Sequence, residues 1–242
     1  MRAVQCETID HAFDQEETLF IGHYGVGLIA KAKRPQFPLW LLFIAVQLID
    51  VIWALFVLLG VEKVRIVPGY TASSPLDLYY MPYTHSLLGA ALWSVALGAL
   101  CAMVYRWKWA AGVIVGLAVF SHWILDLLVH RPDLALYDSH MKMGLGLWNY
   151  KWLEFALEVA LLFFGIYLYM RSTRSVGAVG RYGFIAFGIV MLAIQASQFY
   201  TPPPPSGNTV AISALFAYVL FAIISAWLER KRLSLSESSL PS

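Results

Sequence analysis

WAAGVIVGLAVFSHWILDLLVH, residues Trp109–His130, is long and apolar enough to cross a bilayer, yet its last third carries three ionisable groups. At about 1.5 Å of rise per residue, a helix of this length covers the roughly 30 Å of hydrocarbon. His122, Asp126 and His130 recur every fourth residue, so they form one stripe along the helix. An HxxxD pair offers an imidazole nitrogen and a carboxylate oxygen to a common ion, although that spacing alone is a weak signal.

Outward from this stretch, the same reading gives Trp109–Val129 as one of six full spans. The others are Phe37–Gly60, Thr84–Tyr105, Leu147–Met170, Tyr182–Tyr200 and Val210–Leu228. A shorter apolar segment, Leu19–Ala32, lies between DQEET and KAKRP and is predicted to be a half-depth, re-entrant or interfacial helix. Breaks fall at VPGYTASSP, HRPD, RSTRSVGAVGR and TPPPPSGN, all rich in turn-forming residues. The predicted fold is therefore all-α: a polytopic transmembrane helical bundle forming one domain over residues 19–232. A polar N-terminal tail (1–18), with no apolar core of a cleavable signal, and a disordered Ser-rich C-terminal tail (233–242) are expected to flank it.

Composition agrees with a membrane class. The 242 residues are 60% hydrophobic and only 13% charged, and the mean hydropathy is +0.66. Soluble domains sit near half apolar and a quarter charged. A formal charge of +2, with no basic patch interleaved with aromatics, argues against a nucleic-acid partner. Cys6 and Cys101 form neither a metal-ligand pair nor a disulfide framework. Of the 17 Lys and Arg residues, eleven fall on one side of the predicted spans and six on the other. By the positive-inside rule this puts the C-terminus in the cytoplasm and the loops 61–83 and 130–147 outside.

Acidic or histidine residues inside the apolar segments are few: His23, Asp50, His85, His122, Asp126, Glu154 and Glu158. Each costs several kcal/mol to insert unless it finds a partner, so each is a functional candidate. Counted from the cytoplasmic end at the helical rise, Asp50, His122 and Glu158 lie about 20 Å up, Asp126 about 25 Å and His23 about 16 Å. His85 comes out higher, at about 29 Å. Groups from four segments thus converge on one layer in the outer half of the bilayer. His130 stands at a span end, where solvation is a competing explanation. His11 and His140 are expected at the surface, and Glu154 is as consistent with an interfacial residue as with a ligand. Trp93, Trp123 and Trp148 are expected to be packing or interfacial anchors.

Taken in order, Gly22-His23, Asp50, YTHSL (Tyr83–Leu87), SHWILDLLVHRPDL (Ser121–Leu134), and GLGLWNY (Gly144–Tyr150) followed by Glu158 resemble a bacterial inner-membrane family. Its members are described as LexA-binding, inner-membrane-associated metal-dependent hydrolases. The resemblance covers roughly residues 20–170 and implies a metal-dependent hydrolase in the bacterial inner (plasma) membrane. The order His23, Asp50, His85, His122 with Asp126, then His130 is also distantly similar to zinc-dependent phospholipases C. Their N-terminal Trp and later histidine–carboxylate pair have no counterpart here.

The leading expectation is a membrane-embedded hydrolase that uses metal-activated water on a lipid or lipid-linked substrate, with a phosphoester favoured. The cofactor would be a divalent metal of the zinc type. His23, His85, His122 and Asp126 are the first-choice ligands, His130 is a further candidate, and Asp50 is either a bridging ligand or an orienting group. Glu158 is the candidate general base. An intramembrane zinc amidase of the ceramidase type is the alternative enzyme, although its HxxxH box is replaced by HxxxD. A metal or proton transporter is the third reading; it needs ionisable groups through both halves of the membrane, and their clustering in the outer half favours an enzyme. HExxH and GxSG are both missing, and six histidines cannot fill the three histidine boxes of a desaturase.

Overall fold

The computed structural model describes residues 21–34, 36–104 and 109–235. These form eight α-helices, a short 3₁₀ turn and six short strands. The helices are α1 (Gly22–Lys33), α2 (Leu39–Val46), α3 (Leu48–Leu58), α4 (Leu87–Val104), α5 (Trp109–Val129), α6 (Lys151–Arg171), α7 (Gly177–Gln198) and α8 (Gly207–Glu229). Five of them, α4 to α8, are each long and apolar enough to span a bilayer, and the bent pair α2–α3 brings the number to six where it is taken as one broken span and not as a re-entrant loop. Side chains such as Leu92, Val95, Leu117, Phe216 and Ile223 turn outward from the bundle, as lipid contact requires. The chain is an all-α polytopic integral membrane protein.

The first predicted span, Phe37–Gly60, is not a continuous rod. It breaks at Gln47, where φ is −112° and ψ 7°, and the two halves meet at 57°. No proline or glycine marks the place in the sequence. The preceding short segment is α1, whose 12 residues rise only about 18 Å. It is half-depth, as expected, and is buried among α6, α2 and α5. Its C-terminal Lys31 pairs with Glu229 at the end of α8 and donates to the Phe37 carbonyl at 2.7 Å. Its N-terminus stops inside the bundle.

The strands form three antiparallel ribbons outside the spans. β1 (Lys63–Ile66) pairs with β2 (Leu76–Tyr80), and β3 (Leu134–Tyr137) pairs with β4 (His140–Met143), both at the end of the bundle where α3 and α5 finish. At the opposite end β5 (Thr173–Ser175) pairs with β6 (Arg232–Ser234). Leu233 and Ser234 therefore belong to a ribbon and not to the expected disordered tail, because Arg232 anchors them. Its guanidinium is buried and donates to the Met170 and Thr173 carbonyls, capping the C-terminal end of α6. Helix α7 begins at Gly177, earlier than expected, so Arg181 sits within its first turns. The expected N-terminal tail and residues 236–242 lie outside the described residues.

Small residues set the closest helix contacts, as is common in membranes. Gly98 of α4 faces Gly112 and Gly116 of α5, and Gly25 of α1 lies directly on the backbone of α6 at Leu161 and Gly165. A β-carbon at Gly25 would collide with the Leu161 carbonyl, whereas one at Gly27 would reach the Leu42 carbonyl at an ordinary 3.4 Å. Gly25→Val should therefore destabilise by at least about 1–3 kcal/mol, the usual cost of overpacking, while Gly27→Ala stays near wild type. Thermal unfolding of detergent-solubilised protein measures both; equal Tm values would contradict this packing.

Candidate metal centre

Asp50 lies in the first turn of α3, immediately after the break. His85 sits in the loop that leads into α4, His122 and Asp126 share one face of α5, and His130 follows the last residue of that helix. His23 is the second residue of α1. All six predicted ligands meet in one cluster. His85, which depth counting placed too high, is brought down because Thr84–Ser86 precede α4 instead of forming its first turn.

Four donor atoms close a ring at its heart. The Nε2 of His85 is 3.2 Å from Asp50 Oδ1 and 3.6 Å from Asp126 Oδ2. The Nε2 of His122 is 3.3 Å and 3.2 Å from the same two oxygens. On the far side of Asp126, Oδ1 is 3.5 Å from His23 Nε2 and 3.9 Å from His130 Nε2. The histidines and Asp126 are buried, while the Asp50 side chain keeps 13% of its surface exposed. Access to the cluster is therefore on the Asp50 side.

What stands behind each imidazole fixes its tautomer. His122 Nδ1 donates to the Val46 carbonyl at 2.8 Å. That carbonyl is available because the helix breaks one residue later. Thr84 donates its hydroxyl to Glu62 Oε2 at 2.6 Å, so it accepts from His85 Nδ1 at 2.8 Å. His130 Nδ1 donates to Asp133 Oδ1 at 2.9 Å. In a neutral imidazole only one nitrogen carries the proton, so all three Nε2 atoms present lone pairs to the carboxylates. His122 Nε2 and Asp126 Oδ2, though 3.2 Å apart, have no hydrogen-bond partner among the described residues.

These observations fit a metal ion. Ligand bonds of about 2.0–2.2 Å at tetrahedral angles put donor atoms about 3.3–3.6 Å apart; Asp50 Oδ1 lies 3.2 and 3.3 Å from the His85 and His122 Nε2 atoms, and donor atoms of these three residues all fall within 4.8 Å of one another. Nδ1 tethers to oxygen are the usual support for a metal-binding histidine. Without a cation or an added proton, the ring sets lone pair against lone pair.

Glu158 does not join the ring. Its Oε2 accepts the Gly22 N–H at 2.5 Å, so it caps α1 one residue before His23. Glu154, one turn earlier on α6, is buried within the bundle. His140 is exposed, as expected, and His11 lies outside the described residues. Trp123 is more than an anchor, since its indole N–H donates to the His85 carbonyl at 3.0 Å. The Trp148 ring lies 4.1 Å from that of His130.

Four supporting residues escaped sequence reasoning. Asp133 follows His130 by three positions and Thr84 adjoins His85, so proximity in the chain was a usable signal for both. Glu62 and Tyr218 gave none. Tyr218, on the last span, donates to Asp50 Oδ2 at 2.8 Å. Comparison with protein-family models, curated proteins and solved structures returned no match. Fold and site together define an integral membrane protein with a buried imidazole–carboxylate cluster; the family resemblance is carried by the motifs.

Removing a tether should loosen the cluster without removing a ligand. Thr84→Val and Asp133→Ala are expected to weaken zinc binding by about 10–100-fold, while His140→Ala leaves it unchanged. Competition against a chromophoric chelator measures this, and three equal affinities would contradict the assigned tethers.

Proposed function

We propose that this protein is a metal-dependent hydrolase of the bacterial inner membrane, acting on a lipid or lipid-linked phosphoester. The observation that carries the reading is the buried ring of Nε2 atoms and carboxylates set among apolar helices of spanning length. The imidazole and carboxylate donor set suits zinc better than calcium or magnesium. When bound, such an ion supplies Lewis-acid polarisation and lowers the pKa of a coordinated water to about 7.

The chain's own residues do the rest. Asp50 and Asp126 bring negative charge to the cation, and Tyr218 holds Asp50 in place from α8. Burial of the ring keeps bulk water away, and Asp50 faces the accessible side. An apolar groove of about 650 Å³, lined by Phe56, Tyr83, Leu92 and Trp93, lies beside the loop that carries His85. Its walls share the outward face of α4 with Leu88 and Leu92, a surface suited to acyl chains. Glu158 takes the proton from water as general base.

An enzyme fits better than a transporter. Beneath the cluster, Tyr24, Phe43, Phe187 and Phe221 stack into a closed aromatic core, with Tyr24 and Phe43 rings 4.8 Å apart. No chain of ionisable groups runs through that core among the described residues.

Glu158→Gln separates the base from the cap, because a glutamine oxygen still accepts the Gly22 N–H. Metal content and fold should persist while turnover of a lipid phosphoester falls by about 10²–10⁴-fold. Unchanged turnover would restrict Glu158 to capping α1, and hydrolysis of a ceramide-like amide alone would replace the phosphoester with the amidase reading.

The proposed orientation places the C-terminus in the cytoplasm, with the metal centre in the outer half. In a variant lacking Cys6 and Cys101, a cysteine at Ser206 should react with an impermeant thiol reagent on intact cells, and one at Ser175 should not. The reverse pattern would invert the topology.

A further inference from the structure

Helix α4 lies along α5 and makes little contact with α3, so a groove runs down the outside of the bundle between α3 and α4. Its walls are Phe56, Val61, Tyr83, Leu92, Trp93 and Ala96. From Gly89 to Ala96 it extends about 10 Å along α4 at the helical rise. Leu92 and Ala96 are exposed, so among helices of spanning length this space opens to hydrocarbon.

The groove wall and the loop that carries His85 are one unit. Gly89 lets the loop fold back on α4, because a β-carbon there would collide with the Tyr83 carbonyl. The Trp93 indole N–H donates to that same carbonyl at 3.0 Å, two residues before His85.

The mouth of the groove is chemically unlike its walls. The Tyr83 ring meets Phe56 and Tyr80 edge-on, with centroids 6.3 and 6.5 Å away. Tyr79, Tyr83 and Tyr137 are exposed at this end, as suits the level of lipid headgroups. Two exposed lysines stand there as well. Lys63 pairs with Tyr80 across the β1–β2 ribbon, and Lys142 donates to the Tyr79 carbonyl at 2.9 Å. Neither lysine is in an ion pair among the described residues. The acidic groups nearby face other partners: Glu62 accepts the Tyr83 and Thr84 N–H groups, Asp77 holds Arg65, and Asp138 lies 3.9 Å from His140.

Lipid tails are as apolar as the groove, so hydrophobicity alone does not select its occupant. The charge at the mouth does. We infer that the groove seats one acyl chain of an anionic phospholipid, whose phosphate lies at the mouth between Lys63 and Lys142. The inference deepens the lipid-phosphoester reading and rests on it for one point, that the seated lipid is the substrate.

The test is photolabelling of the full-length protein in phosphatidylcholine nanodiscs, with adducts mapped by mass spectrometry. The probes are phosphatidylglycerol and phosphatidylcholine, each carrying a diazirine in one acyl chain. Phosphatidylglycerol should label Phe56, Leu92 and Trp93 in preference to outward residues such as Phe216, and phosphatidylcholine should label them more weakly. Lys63→Ala and Lys142→Ala should each cut that preference by about fivefold, the worth of one lysine near an anionic surface. Ala96→Trp should fill the groove and abolish these adducts, while Ile223→Trp, on the outward face of α8, keeps them. Adducts spread evenly over the outward faces would overturn the seat. Equal labelling by the two lipids, or a preference that neither lysine moves, would overturn the headgroup assignment. None of these readouts needs turnover. Groove adducts without phosphatidylglycerol hydrolysis would therefore keep the seat and remove its substrate role, and hydrolysis at the wild-type rate in Ala96→Trp would overturn that role alone.

Discussion

A backbone carbonyl inside a bilayer has no water to accept from, so wherever a spanning helix breaks, something in the protein must satisfy the freed group. Here the break at Gln47 releases the Val46 carbonyl, and His122 Nδ1 takes it up at 2.8 Å. One hydrogen bond thus meets two needs. It removes the cost of an unpaired carbonyl, and it directs the remaining lone pair of His122 at Asp50 and Asp126. The same break starts α3 at Leu48, which puts Asp50 in the first turn of a helix, where the dipole favours a carboxylate.

The half-depth helix α1 follows from that arrangement. A helix that stops inside the bundle exposes N–H groups that need acceptors, and Glu158 supplies one to Gly22. Glycines at positions 25 and 165 let α1 lie against α6 closely enough for that contact. His23 is thereby carried to the oxygen of Asp126 that the ring leaves over. The two ribbons at the ends of α3 and α5 complete the frame: Glu62 precedes β1 and backs His85 through Thr84, while Asp133 precedes β3 and backs His130.

Much of this was legible in the sequence, and the rest was hidden for physical reasons. Five spans, or six with the bent pair, follow from apolar run lengths, and multiplying residue counts by helical rise anticipated that Asp50, His122 and Asp126 would meet. The HxxxD stripe on α5 needed only helical periodicity. The bend at Gln47 was not visible, because a break caused by tertiary hydrogen bonding leaves no proline or glycine in QLID. Nor were Glu62 and Tyr218, which reach the site from 22 and 168 positions away from their partners. Glu158 was singled out because its helix is apolar after it, but its contact with Gly22 depends on how deep α1 is inserted. That depth is set by packing against α6 and not by local sequence.

The metal proposed for the buried ring is what the imidazole tethers and the paired carboxylates have in common. Zinc-edge X-ray absorption on monodisperse protein, prepared without chelator, tests it directly. Nitrogen and oxygen neighbours at about 2.0–2.1 Å, with the outer-shell scattering of imidazole rings, are the expected result. A spectrum without imidazole scattering, or a sample with under about a tenth of an equivalent of any divalent metal against the four or so ligands available, would contradict it.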